Sequence, residues 1–141
     1  MKTLIKKIVS RYAPTTSQIG QDRWVFGEVF DGMRGGYFLD LGAHDGLTHS
    51  NTYKLERNYA WRGICVEANP FTFAQLKGNR KCQCVHVALS DHDEVVCFRC
   101  AGEFGGVLAS NAAPAVEDCV VEQNIQSEDH AEGLPLPEFN I

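Results

Sequence analysis

FLDLGAHDGLTHSNT, residues 38–52, begins as an apolar strand, breaks at Gly42 and resumes toward a helix after Ser50-Asn51. The run from Tyr37 to Leu41 is interrupted only by Asp40, which suits a parallel strand covered on both faces. Gly42 lets the backbone bend and come close to a ligand, and Gly46 lets the chain turn into the helix without a Cβ clash. Ser50 and Asn51 read as helix caps.

Working outward, a helix is expected from about Ser17, its cap, to Phe30. Trp24, Val25, Val29 and Phe30 have helical spacing, and Asp31-Gly32 ends it. After the quoted stretch a helix is expected from about Asn51 to Ala60, then a turn at Trp61-Arg62-Gly63 and a second strand, Ile64 to Val66, ending at Glu67. Asn69-Pro70 has the form of an N-cap followed by proline at the first helical position. Thr72-x-x-Gln75 offers a capping box, and Gly78-Asn79 a stop. A third strand follows from about Cys84 to Leu89, and an antiparallel strand is expected over 95–100. Strand–helix–strand–helix–strand implies two crossovers and a parallel sheet in the order 3-2-1, which is an α/β, partial Rossmann-like fold.

In such sheets ligands sit at the carboxyl ends of the strands. Asp40 ends the first strand and Glu67 the second, and Glu67 lies 21 residues beyond Gly46. A carboxylate there can accept from both hydroxyls of a ribose. The acid-x-Gly-x-x-x-Gly pattern of residues 40–46 differs from the G-x-G-x-x-G cradle for a pyrophosphate. It puts a carboxylate where a cationic ligand is welcome, which fits S-adenosyl-L-methionine, with its ribose, ammonium and sulfonium and no phosphate. His44 and His49 lie in the same loop as candidate general bases, although a loop histidine reads first as solvated.

SQIGQDRWV (17–25), GGYFLDLGAHDGLTHSNTYKLE (35–56), WRGICVEANPFTFAQLKGNRKC (61–82) and VALSD (87–91) together resemble the FkbM-type methyltransferases over roughly residues 17–110. The resemblance implies a class I S-adenosylmethionine-dependent methyltransferase that acts on a hydroxyl of a glycan or secondary metabolite. It assigns Asp40, Gly42, Ala43, His44 and Gly46 to the cofactor loop, Glu67 to the ribose, and Ser90 or Asp91 to the adenine. It matches Gln18 and Asp22 to an upstream element that closes over the site. Asp22 pairing with a nearby base and Asp91 starting a turn are the plainer alternatives. In that family an acidic segment after a fourth strand serves the acceptor. EDHAEG (128–133) has no apolar strand leading into it and is not that segment, so no catalytic residue is assigned. The expectation is a cofactor-binding half whose first strand awaits a partner: residues 95–100, a second copy, or a C-terminal half. Rival readings are a non-catalytic, degenerate methyltransferase domain used for partner binding, and an NAD-dependent dehydrogenase.

Composition bounds these readings. The chain has 141 residues, 44% hydrophobic and 22% charged, enough for one sizeable core. Residues 1–99 carry all 13 Lys and Arg against 10 acids, a balance of +3, while residues 100–141 carry 8 acids and no Lys or Arg. No basic cluster interleaves with aromatics, so nucleic acid is not an expected partner. No run reaches the ~18 apolar residues of a membrane span. Residues 1–16 read as an amphipathic segment. The face of residues 2–12 formed by Leu4, Ile5, Ile8, Val9 and Tyr12 suits either the chain's own domain or an anionic membrane surface. Residues 111–141 read as an acidic, weakly ordered tail. Cys82-x-Cys84 and Cys97-x-x-Cys100 could supply four thiolates to zinc, but the 12 residues between the pairs are not a standard finger spacing. The alternative is that Cys65, Cys82 and Cys84 act as small apolar side chains. The start does not read as a secretory signal, so reduced thiols and a cytoplasmic location are expected.

Overall fold

The computed structural model describes residues 15–89, 95–100, 105–108 and 119–124, with backbone only for 95–97 and 119–124. The chain divides into two compact units between His86 and Val87, inside the stretch that the sequence reads as one domain of residues 17–110. Each is described by itself. Residues 1–14, Ser90, Asp91 and most of the acidic tail lie outside the described residues.

The first unit holds a short helix α1 (Gln21–Trp24) continued by a π-helical turn (Val25–Val29), then β1 (Tyr37–Leu41), α2 (Tyr53–Tyr59), β2 (Arg62–Glu67), α3 (Pro70–Asn79) and β3 (Gln83–His86). The three strands are parallel in the order β1-β2-β3, as the crossover pattern predicts. Leu39 pairs with Ile64 and Asp40 with Cys65, while Cys65 pairs with Cys84. Phe38 and Cys65 face inward and meet Leu55 of α2 and Leu76 of α3 in one core with Trp61 and Ala43. Gly63 is required because a Cβ would lie 2.3 Å from the Phe38 carbonyl oxygen.

Several elements differ from the expected ones. The helix expected from Ser17 starts at Gln21, because Gly20 takes a left-handed φ of 90°. Ser17 still caps it from a distance: its Oγ accepts from the N–H groups of Gly20 and Asp22. The π-turn, closed by Phe30 N–H to Val25 O at 3.0 Å, shifts the apolar register. Val25 and Phe26 pack on the core while Trp24, Val29 and Phe30 are largely exposed. Phe26 stacks on Tyr59 with centroids 3.5 Å apart. The α3 cap is Asn69, whose Oδ1 accepts from Phe71 N–H at 2.9 Å, and no capping box forms: Thr72 Oγ1 donates to the Asn69 carbonyl. α3 runs through Gly78 to Asn79. β1 is not covered on both faces: Leu39 and Leu41 are 59% and 54% exposed, and β1 is an edge strand among the described residues.

In the second unit, β4 (Val95–Cys100) pairs antiparallel with β5 (Gly106–Val107) and β6 (Cys119–Asn124), in the order β5-β4-β6. The strand expected over 95–100 is therefore present and antiparallel, and its partners β5 and β6 lie in its own unit. β6 falls within the stretch that composition alone reads as weakly ordered. Its apolar run is only Cys119 to Val121, and β4 supplies all six of its register partners.

Candidate functional site

The loop from Gly42 to Ser50 leaves β1 at its carboxyl end, beside the carboxyl end of β2. Gly42 and Ala43 both donate to the Val66 carbonyl at 2.9 Å, so the loop is pinned to β2 at its first step. Gly42 has φ 73° and a Cβ there would meet nothing within 4 Å: the position needs glycine for its backbone and faces open space. Gly46, at φ 77°, is the opposite case, since a Cβ would sit 2.7 Å from both Arg80 Cγ and Leu76 Cδ1. His44 and His49 take left-handed φ values of 52° and 56°, uncommon for residues with a side chain.

The loop satisfies its own amides. His44 N–H donates to Glu67 Oε2 at 2.7 Å, and Gly46 N–H to the Ala43 carbonyl at 2.9 Å. Leu47 and Thr48 donate to Asp45 Oδ1 at 2.8 and 2.7 Å, and the Thr48 hydroxyl reaches Asp45 Oδ2. Burial raises the Asp45 carboxyl, but the Thr48 hydroxyl, the two amides and His44 outweigh it and hold it below the usual range. Glu67 is buried at the end of β2, where its Oε1 accepts from Asn69 N–H at 2.8 Å. The carboxylate thus joins the loop after β1 to the cap of α3. Asp40 is half-buried and accepts from the Thr52 hydroxyl. The amides of Gly42, Ala43, His44, Gly46, Leu47 and Thr48 are thus all bonded within the protein.

Arg80 braces the loop from beneath. Its side chain is fully buried. Nε donates to Glu56, Nη1 to the Gly46 carbonyl and Ser50 Oγ at 3.3 Å each, and Nη2 to Thr52 Oγ1 at 3.0 Å. Its guanidinium also lies 5.4 Å from the Phe38 ring centroid. Burial lowers Glu56's affinity for charge, yet Arg80 and the amides of Lys81 and Cys82 hold its carboxyl below the usual range. Thr52 passes the brace to Asp40, to whose Oδ2 its hydroxyl donates, while Glu67 is held separately by the His44 and Asn69 amides. Ser50 accepts from Thr52 and Tyr53 N–H and caps α2 as expected, while Asn51 is exposed.

The upstream element is held against this loop by a bridge between Ser17 and His49 and by the Thr16 hydroxyl on the Ser50 carbonyl at 3.0 Å. Asp22 is 2% exposed and is consumed within its own segment, where it accepts from Thr15, Thr16, Ser17 and the Arg23 amide. Burial raises this carboxyl, and those donors outweigh it and hold it low. Its partners are hydroxyls and amides, and it stands as a fold element; Gln18 is exposed. Asp40, Gly42, Ala43, His44, Gly46 and Glu67 are brought together as the sequence predicts. Arg80, Glu56 and Thr52 were missed, although arginine directly after a helix-stopping Gly-Asn was a weak cue to a buried helix end. Among the described residues no group of three or more His, Cys, Asp or Glu could hold a metal ion. No family model, no curated protein and no solved structure matches the chain.

Proposed function

We propose that this chain supplies the cofactor-binding part of an S-adenosylmethionine-dependent methyltransferase of the FkbM type, for methyl transfer to a hydroxyl of a glycan or secondary metabolite. The observation that supports it best is the fate of the loop's hydrogen-bonding groups. The N–H groups of Gly42, Ala43, His44, Gly46, Leu47 and Thr48 are spent inside the protein, while the carboxylates of Asp40 and Glu67 stand at neighbouring strand ends. A phosphate site needs donors turned outward. A site of acceptors suits hydroxyls and a cation. This disfavours a pyrophosphate cofactor and with it the dehydrogenase reading.

The residues fit the group on one further count: the space beside Gly42 is open. Gly42 and Ala43 would flank it, Asp40 would face its ammonium, and Glu67, whose oxygens each keep a second lone pair, would hold the ribose. S-adenosylmethionine supplies an electrophilic methyl carbon when bound. The chain's own share is orientation, a class of effect worth about 7–11 kcal/mol at best. A second reading, a non-catalytic binding domain, is favoured by Glu67 already bonding His44 and Asn69.

Titration calorimetry with S-adenosylhomocysteine and with NAD tests the proposal. Binding of the first, abolished by Glu67→Gln, with none of the second, is the expected result. No nucleoside binding would overturn it in favour of the binding domain.

A further inference from the structure

Beneath the Arg80 brace, two cysteines that are 17 residues apart in sequence come within 3.5 Å, sulfur to sulfur. Cys65, in β2, is fully buried, whereas Cys82, just before β3, is half-buried. We propose that Cys65 and Cys82 are a thiol-modification site, a dithiol that a hydroperoxide converts to a disulfide joining β2 to the foot of β3. The inference is independent of which ligand the loop above binds.

The two sulfurs share a hydrogen bond and both feel Arg80. Cys65 pushes Cys82 down; burial opposes this, and Arg80 assists it, so Cys82 is the more acidic thiol. Cys65 is pushed up by its bond to Cys82 and by burial. Attack and resolution therefore fall to different residues. The Cys82 thiolate attacks a peroxide oxygen, the O–O bond breaks, and water or an alcohol leaves with a proton. The Cys65 thiol then attacks the Cys82 sulfenic sulfur, its S–O bond breaks, and a second water carries off the Cys65 proton. Two thiols lose two electrons and two protons, and the hydroperoxide takes them.

Cys84 is the competitor, since it is the register partner of Cys65 on β3. Its Sγ is directed at the Cys82 carbonyl at 3.6 Å, and burial pushes its thiol up to about 11, which leaves it less reactive. Closure to a bond of about 2.05 Å needs the Cys65 and Cys82 sulfurs to approach by roughly 1.5 Å. The bond would close the segment that carries Glu67, the Asn69 cap, α3 and Arg80.

The reduced full chain, treated with one equivalent of hydrogen peroxide and mapped by non-reducing peptide mass spectrometry, is the test. The expected result is a mass lower by two hydrogens, a Cys65–Cys82 linkage, and four of the six cysteines still titratable. Cys82→Ser abolishes the linkage and Cys84→Ser keeps it. Cys65→Ser, if it folds, leaves a dimedone-reactive Cys82. Absence of the two-hydrogen loss, or a linkage that survives Cys82→Ser and disappears in Cys84→Ser, would overturn the proposal.

Discussion

Replacing Arg80 with methionine keeps most of the apolar stem and removes the guanidinium. Four hydrogen bonds disappear, to Glu56, the Gly46 carbonyl, Ser50 and Thr52. Removing one partner of a buried ion pair costs about 3–5 kcal/mol, because the other charge stays desolvated. Glu56 recovers part of this, since its Oε1 keeps the amides of Lys81 and Cys82 at 2.8 and 2.9 Å. The expected loss is therefore about 3 kcal/mol, near the lower end of that range. Urea unfolding followed by tryptophan fluorescence reads it, because Trp61 is 4% exposed and lies in the same core. Glu56→Gln and the double variant complete a cycle whose coupling is expected at about 1–3 kcal/mol. A loss within about 1 kcal/mol for Arg80→Met, or a coupling near zero, would refute the brace and leave Arg80 as packing only.

Three further outcomes follow from the same geometry. Asp22, Asp45 and Glu56 all sit below their ordinary carboxyl values in the folded chain. Their stabilisation is complete above the unfolded values, near 3.8 for the aspartates and 4.5 for the glutamate, and is lost as pH falls through the lower folded values. Unfolding free energy measured from pH 6 down to 2 should fall by up to about 1.4 kcal/mol per pH unit for each proton taken up, and a flat profile would refute the assignment. Gly46→Ala meets Arg80 and Leu76 at 2.7 Å as well as a positive φ, so it should destabilise by about 2–4 kcal/mol, against about 1 kcal/mol for Gly42→Ala, where only φ is unfavourable. Equal effects in thermal melts would contradict this. Asp22→Asn should cost about 2–3 kcal/mol by losing charge-assisted bonds to hydroxyls and amides, with no change in nucleoside affinity beyond that of stability-matched controls. A selective loss of affinity would return Asp22 to the site.

The sequence by itself determined the elements whose signals are local. The apolar runs at Tyr37 to Leu41 and around Ile64 to Val66, the Asn69-Pro70 cap and the alternation of strand and helix were enough for a parallel sheet in the order observed. They were also enough to bring Gly42, Gly46 and Glu67 to one corner. The tertiary structure alone decided what depends on partners distant in the chain. A π-turn turned Trp24, Val29 and Phe30 outward and Phe26 inward, while Val25 kept its face, because the extra residue in the turn changes the face. Arg80 became the centre of the loop's support because its charge is buried among Gly46, Ser50, Thr52 and Glu56, which lie 24–34 residues away. Spacing can place an acid at the end of a strand, but whether its oxygens are open to a ligand or spent on backbone amides is settled by packing. At Glu67 packing set one backbone amide on each oxygen, His44 on Oε2 and Asn69 on Oε1, which fixes the carboxylate and leaves each oxygen a second lone pair.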